Sequence, residues 1–122
     1  RNPERKNLME QLNKIELRGK VGNVRISRVG ENVVANFSLA TNYVYMSKDG
    51  QPVVETTWHT VVAWNGKGMP DLTKIDKGSS LYVCGRLRNT RYTSSDGTEK
   101  QAMEVIANAV SFEEVTNMQT GF

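Results

Sequence analysis

The sequence predicts an all-β domain in which five strands close into a small barrel. One short helix lies between the third and fourth strands, and an extended hairpin joins the fourth to the fifth. Apolar and polar residues alternate in several stretches rich in Val, Thr and aromatic residues, which is typical of half-buried strands. Glycine-containing turn sequences separate these stretches. One segment has helical spacing, and it follows the third predicted strand.

The first two predicted strands are long. The first runs from Leu12 to Arg28, and Gly19 and Gly22 interrupt it, as glycines do at the bulges and tight bends of small barrels. After a turn at residues 30–32, the second strand runs from Val33 to Met46. Three large apolar residues of the predicted strands are assigned to the core: Phe37, Leu39 and Phe112.

The third predicted strand, from Val54 to Trp64, carries both tryptophans of the chain. A turn signal at residues 48–50 and Pro52, interpreted as a strand breaker, precede it. Because successive side chains of a strand point to opposite faces, one face holds Thr56, Trp58, Thr60, Val62 and Trp64. At the rise of a strand the two indoles are about 20 Å apart. That face is either core or a platform for flat ligands.

The helical segment covers residues 69–77, where apolar residues recur every three positions, and it forms one short helix at most. The fourth predicted strand runs from Leu81 to Thr90 and the fifth from Gln101 to Phe112. Asp96-Gly97, between them, is the strongest short hairpin signal of the chain. Strict alternation along the fifth strand places Val110 on the opposite face from Val105.

This order of elements is the one expected of an OB-fold barrel. The alternatives are a small sandwich or an SH3-like barrel with an insertion, and the position of the helix favours the OB fold. The length of 122 residues fits one such domain, which we place at residues 9–115.

Composition and charge indicate a soluble globular protein of a reducing cytoplasm. No apolar run approaches the length of a membrane span. The single cysteine, Cys84, cannot form an internal disulfide, and one Cys with one His argues against a zinc site. Residues 1–8 supply +2 of the net charge of +3, so the charge is weak support for nucleic-acid binding. We expect those residues to be an upstream extension or an expression remnant, with Met9 as the natural start.

The motifs of common enzymes do not occur in the sequence. There is no GxSxG nucleophile elbow, no GxxxxGK[ST] phosphate loop and no carboxylate cluster suited to a two-metal nuclease. Asp71 and Asp76 flank the predicted helix as ordinary surface acids. We therefore predict a protein that is not an enzyme and has no catalytic residue, metal or cofactor.

One face of the fourth predicted strand interleaves basic and aromatic residues. Its members are Tyr82, Cys84, Arg86, Arg88, Thr90 and, if the strand persists, Tyr92. Arg91 adjoins them, and no acidic residue from Ser79 through Ser95 compensates the three arginines. Guanidinium groups meet phosphates, and rings stack on unpaired bases with about 1–3 kcal/mol per base, which suits single-stranded nucleic acid. The alternative is a solvated charged face.

Five segments in order carry a family resemblance: NKIELRGKVGN (13–23), VVANFSLAT (33–41), TTWHTVVAW (56–64), KGSSLYVCGRLRNTRY (77–92) and EVIAN (104–108). In order and spacing they resemble the bacterial single-stranded DNA-binding proteins of the homotetrameric OB-fold type, over residues 12 to 112. The resemblance implies sequence-independent binding and protection of single-stranded DNA in DNA replication, recombination and repair.

The resemblance also implies the residues of the site. The family stacks bases on four aromatic positions, which here are Tyr45, Trp58, Trp64 and Tyr92. The stretches that contact the DNA strand in relatives hold four basic residues, Lys20, Arg86, Arg88 and Arg91. The subunit interface is expected to include His59, Leu12, Ile15, Leu17 and Tyr82.

The family usually carries a flexible linker and an acidic tip that recruits replication and repair proteins, whereas no acid follows Glu114 here. We therefore expect residues 116–122 to be a short tail, and either the sequence is truncated or this member lacks the recruitment of those proteins. The partners expected are single-stranded DNA and further copies in a homotetramer, with no membrane, in a bacterial cytoplasm beside the nucleoid. Two competing functions stay open: a replication-restart accessory OB-fold protein acting mainly through protein contacts, and a metal-dependent nuclease or its OB module.

Overall fold

The computed structural model describes residues 9–114 of the chain. Its strands are β1 (Ile15–Val29), β2 (Asn32–Met46), β3 (Pro52–Trp64), β4 (Ser80–Thr93) and β5 (Glu99–Phe112). They close into a barrel in the order β1-β2-β3-β5-β4, with β4 returning to β1. The β3–β5 pair is parallel and the other neighbouring pairs are antiparallel. The predicted five-stranded OB barrel is confirmed. The expected extension at residues 1–8 and the expected tail at 116–122 lie outside the described residues.

The predicted helix at residues 69–77 is a single 3₁₀ turn, Leu72–Lys74. The Asp71 carboxylate caps it by accepting a hydrogen bond from the Thr73 N–H at 3.1 Å, and Ile75 already has an extended backbone. Leu72 and Ile75 are both buried against the barrel core. The three-residue spacing of Leu72 and Ile75 therefore arises because both side chains pack into the core, and not because they belong to a longer helix.

Inward-facing residues of all five strands form the core. Phe37 and Leu39 belong to it, as predicted, and the other strand residues of the buried cluster are Val21, Ala35, Val61, Ala63, Leu81, Val83, Val105, Ala107 and Val110. The assignment of Phe112 to the core is wrong. Phe112 is the last residue of β5, where the barrel ends, and 44% of its surface stays exposed.

A β-bulge in β5 changes which side chains face inward. Cys84 of β4 pairs with Ala109 and the next residue, Gly85, pairs with Ala107, so β5 has one extra residue, Asn108. The expectation that Val110 lies on the opposite face from Val105 is therefore wrong, because the bulge turns both toward the core.

Two hairpins extend from the barrel. The β2–β3 pairing runs without a register shift from Val34↔Trp64 to Met46↔Pro52, so Pro52 begins β3 and does not break it. The β4–β5 hairpin turns at Gly97, whose φ of +85° a glycine adopts without strain. The predicted hairpin signal at Asp96-Gly97 is thus confirmed.

Candidate nucleic-acid interface

Both tryptophans lie on the outside of the barrel. Trp58 is 60% exposed and Trp64 is 45% exposed, whereas Val61 and Ala63 of the same strand are fully buried. Alternation along β3 thus sends the core residues inward and the indoles outward. The alternative in which this face is core is therefore wrong, and that of a platform for flat ligands stays a prediction.

The surface around Trp58 continues onto β1. Lys20 of β1 pairs with Ala40 of β2, and Ala40 pairs with Trp58 of β3, so the three side chains form one outward row. The indole of Trp58 lies over Gly22 of β1, close enough that a Cβ added there would be 2.5 Å from the indole Cζ3. A glycine at this position therefore leaves the room that the ring occupies.

The same surface continues in the other direction onto β4. Val62 of β3 pairs with Ile106 of β5, and Ile106 pairs with Arg86 of β4. Arg86 is exposed, and no carboxylate oxygen of residues 9–114 lies within 4.0 Å of its nitrogens. We call this continuous surface, from Lys20 through Trp58 and Trp64 to Arg86, the outer face.

A shallow polar concavity of about 250 Å³ lies on the outer face between the two indoles. Its lining residues are Asn23, Arg25, Asn36, Phe37, Ser38 and Thr60. It lies beside the β1 register shift between Val21 and Val24, where the Asn23 N–H donates to the Ser38 Oγ at 3.0 Å. Arg25 and Asn36 are not among the predicted site residues. Alternation along β2 could have identified Asn36, since it occupies an outward position next to the strand of the tryptophans.

Two of the three arginines of β4 have carboxylate partners, contrary to prediction. Arg88 Nη2 is 2.5 Å from Glu104 Oε1, and Arg91 Nη1 is 3.9 Å from Glu99 Oε2. Both acids come from β5, and Glu104 is the direct cross-strand neighbour of Arg88. Because both acids lie on the neighbouring strand, the sequence of β4 by itself does not reveal these ion pairs. Arg86 is therefore the arginine of this strand whose charge is least compensated among the described residues.

The four predicted stacking residues are all exposed, but they do not share one face. Tyr92, near the end of β4, pairs with Lys100 in the extended hairpin and is 51% exposed. Tyr45 pairs with Val53, an odd number of steps from the Ala40↔Trp58 pair, so it lies on the opposite face of the β2–β3 hairpin from Trp58.

The residues predicted for a subunit interface occupy four different environments. Leu12 precedes β1 and is 88% exposed, whereas Ile15 and Leu17 pack against the core and stay half-buried. His59 lies at the mouth of the barrel with its Nε2 2.9 Å from Thr41 Oγ1, and burial lowers its pKa. Their role in an interface stays a prediction.

Tyr82, also predicted for the interface, belongs to a polar cluster on the outside of β1 and β4. Its hydroxyl donates a hydrogen bond to Glu16 Oε2 at 2.5 Å, which raises the pKa of Tyr82 to about 12. The Arg18 guanidinium lies 5.6 Å from the centre of the Tyr82 ring, and Arg18 Nε is 3.0 Å from Glu113 Oε1. These contacts hold the phenol in one orientation.

Within residues 9–114, no group of three or more His, Cys, Asp and Glu side chains is arranged to hold a metal ion. None of the helical structure in this part of the chain is long and apolar enough to cross a membrane.

Residues 12–113 match the model of the Single-strand binding protein family. The chain is 34% identical over 100 residues to a single-stranded DNA-binding protein of Neisseria meningitidis, covering 80% of this chain and 57% of the relative. It is 32% identical over 115 residues to the mitochondrial single-stranded DNA-binding protein of Danio rerio, covering 86% of this chain and 78% of the relative. The chain therefore spans little more than half the length of the bacterial relative.

Two solved structures are similar in fold. One, described as a Plasmodium falciparum SSB complex with ssDNA, has a TM-score of 0.68 and 29% identity and covers 88% of this chain and 99% of its own. The other, a deletion mutant of the single-stranded DNA-binding protein from Thermus aquaticus, has a TM-score of 0.65 and 21% identity. It covers 84% of this chain and 51% of its own, and it supports the fold alone.

Proposed function

The chain belongs to the single-strand binding protein family, whose members are non-enzymatic proteins that bind single-stranded DNA, and we propose that this protein binds its DNA on the outer face of the barrel. The resemblance drawn from the five sequence segments is thereby confirmed. The observation that carries the proposed site is the exposure of Trp58 and Trp64 on a strand whose alternate residues are fully buried.

Stacking on the two indoles provides affinity without base selectivity. A flat ring offers its π-face to any unpaired base, with about 1–3 kcal/mol per stacked base, while a duplex keeps its bases covered. Because the indoles are about 20 Å apart at strand rise, more than one nucleotide spans the gap between them. Those nucleotides cross the polar concavity, where Arg25 and Asn36 offer hydrogen-bond donors to phosphates or base edges.

Basic side chains at the two ends of the outer face guide the phosphates. Lys20 lies in the row of Trp58, and Arg86 lies two strands beyond Val62. Each phosphate contact releases counterions, so binding should weaken with salt. We propose that Arg88, Arg91 and Tyr92 extend the site along the β4–β5 hairpin, the two arginines with smaller contributions because carboxylates already neutralise them.

The biological role that we propose is the protection of single strands during replication, recombination and repair, which is typical of the family. Members of the family are oligomeric. We propose a homotetramer whose interface includes Leu12, Ile15, Leu17, His59 and Tyr82. One strand wrapped over several copies binds far more tightly than at a single site, since the later contacts are intramolecular.

Relatives occur in bacteria and in mitochondria. We propose the bacterial cytoplasm, beside the nucleoid, because the five matching segments resemble the bacterial proteins.

A fluorescence titration with oligo-dT tests the function. The intrinsic tryptophan emission should be strongly quenched by oligo-dT at a fixed number of nucleotides per protein, and much less by a duplex of equal length. Higher salt should weaken the response. No quenching by oligo-dT, or an equal response to the duplex, would reject base stacking on Trp58 and Trp64 and favour a protein that acts through protein contacts.

A further inference from the structure

The β2–β3 hairpin presents two different faces beyond the barrel. One face continues the row of Trp58 and holds the pairs Asn42↔Thr56 and Val44↔Val54. The other, which we call the far face, holds the pairs Tyr43↔Glu55 and Tyr45↔Val53. The hydrogen bond from Thr56 Oγ1 to Asn42 Oδ1, 2.7 Å long, agrees with this assignment of faces.

Two tyrosine rings pack together on the far face. The centroids of Tyr43 and Tyr45 are 6.0 Å apart and their planes meet at 29°, an offset-stacked pair. Tyr43 is 65% exposed and Tyr45 is 43% exposed, so each ring keeps an open surface. Of the two, Tyr45 alone matches a stacking position implied by the family resemblance. Tyr43 matches none, so the sequence did not predict it.

We propose that Tyr43 adds a second ring to the stacking position that the family resemblance assigns to Tyr45. The two rings then form one base-stacking platform for the same single strand that stacks on Trp58 on the other side of the hairpin. This inference rests on the proposed function. The strand then crosses the edge of the hairpin, and the hairpin is held between two runs of nucleotides. Tyr43 extends the platform beyond the single ring of Tyr45.

The neighbouring charge disfavours a two-fold contact between copies at the far face more than it disfavours a single strand of DNA. Glu55 is the direct cross-strand neighbour of Tyr43 and is exposed. A two-fold contact uses the same patch on both subunits, so a dimer through the far face would bring two Glu55 carboxylates together. A single strand can turn its bases to the rings and its phosphates to solvent, away from Glu55.

Glu55 should therefore weaken the binding of DNA at the two tyrosines. Its carboxylate repels the phosphates of a strand lying on the tyrosines, and salt screens that repulsion. Glu55→Gln keeps the shape of the side chain and removes the charge, so it should tighten binding at low salt and change it little at high salt. Glu31→Gln removes an equal charge from the exposed turn between β1 and β2 and is the matched control.

The test is a set of oligo-dT titrations on the full chain, read by tryptophan fluorescence, because Trp58 and Trp64 are unchanged in every variant. Tyr43→Ala should weaken binding at least about fivefold, the equivalent of about 1 kcal/mol for one stacked base. Tyr43→Phe, which keeps the ring, should stay within about twofold of the wild type on the same scale. Glu55→Gln should bind more tightly than Glu31→Gln at low salt.

Three outcomes would overturn the platform. Unchanged affinity of Tyr43→Ala, with normal quenching of the wild type, would reject it and leave the proposed function intact. A lower oligomeric mass of Tyr43→Ala in sedimentation would assign the far face to a contact between copies. Absence of quenching in the wild type would reject the proposed function together with the platform. If Tyr43→Ala does not fold, the comparison of Glu55→Gln with Glu31→Gln decides, since equal affinities would reject the platform.

Discussion

The indole of Trp58 lies directly over the backbone of Gly22, two strands away. A Cβ built at Gly22 would be 2.5 Å from Cζ3 and 2.8 Å from Cη2 of the indole, nearer than van der Waals contact permits. The missing side chain of Gly22 therefore sets the orientation of the Trp58 indole on the outer face.

Gly22→Ala should weaken single-stranded DNA binding by about 1 kcal/mol, roughly fivefold, because the added methyl tilts the indole from its platform position. The fold should survive, since the groups displaced are the far end of the exposed Trp58 side chain and the Ser38 hydroxyl, 2.9 Å from the added Cβ. Oligo-dT titration gives the affinity and thermal unfolding gives the stability.

A double-mutant cycle with Trp58→Ala tests whether the loss of affinity in Gly22→Ala comes from displacement of the indole. In the Trp58→Ala background the Gly22→Ala change should have almost no effect on affinity, because the ring that it displaces is gone. Equal effects in both backgrounds would show that Gly22 acts independently of Trp58.

Arg86→Ala should reduce both the affinity and its salt dependence more than Arg88→Ala does. Arg86 has no carboxylate partner among the described residues, whereas Arg88 is 2.5 Å from Glu104. Loss of one phosphate contact should make the negative slope of log K against log salt less steep by about 0.7 for a single strand. Titrations at several salt concentrations measure the slope. A larger slope change in Arg88→Ala would contradict this ranking.

His59 should make the fold less stable as pH falls below neutrality. Burial lowers the pKa of His59 below its usual 6.5, so the unfolded chain takes up a proton that the folded chain resists. The stability that neutral His59 supports is present above pH 6.5 and is lost as pH falls toward the lowered pKa. Urea unfolding at pH 7.5 and pH 5.5 measures the loss.

Because the chain has a single histidine, NMR titration of its ring protons assigns the pKa directly. His59→Gln should have a smaller stability difference between the two pH values than the wild type. A pKa at or above 6.5 would contradict the prediction.

Gly85→Ala should destabilise the barrel by about 2–3 kcal/mol, the upper range for overpacking. A Cβ at Gly85 would overlap the carbonyl oxygen of Ile106 and stand 2.9 Å from the Ala107 Cα, both backbone atoms that cannot rotate away. Cys84→Ala, at the neighbouring position that faces outward, should cost less than 1 kcal/mol. Urea unfolding compares the two, and equal losses would show that Gly85 is not required by the close approach of β5.

Leu12→Asp should reduce the oligomeric mass without lowering the stability of an individual domain. Leu12 is 88% exposed, while the neighbouring Asn13 holds this segment to β4 by two hydrogen bonds with the Leu87 backbone, at 2.8 and 2.9 Å. A charge at an interface would therefore act on association alone. Sedimentation velocity measures the mass, and an unchanged mass would remove Leu12 from the proposed interface.

Local patterns predicted the strands well because each strand alternates regularly over most of its length. Two of the departures, at Val110 and Phe112, have physical causes that no local pattern contains. Asn108 is an ordinary strand residue in sequence, yet its bulge turns Val110 inward. Phe112 reads as core by composition, but it lies where β5 ends and the barrel no longer covers it.

For the candidate site, the sequence predicts the exposure of the aromatic residues but not how the site residues are arranged. Trp58 and Trp64 were candidates from alternation alone, since their spacing puts both on one face. The neutralisation of Arg88 by Glu104 depends on pairing across 16 residues, which composition within one strand cannot reveal. The far-face position of Tyr45 and its partner Tyr43 likewise depends on the register of β2 with β3.

The barrel closes between β3 and β5 through the two parallel register pairs Val61↔Val105 and Val62↔Ile106. The outer face crosses this join, with Trp58 and Trp64 on one side and Arg86 on the other. A strand of DNA bound as proposed contacts residues on both sides of this short join. Its binding free energy then adds to the stability of the folded barrel by mass action, so that the segment of fewest register pairs is the one that the ligand reinforces.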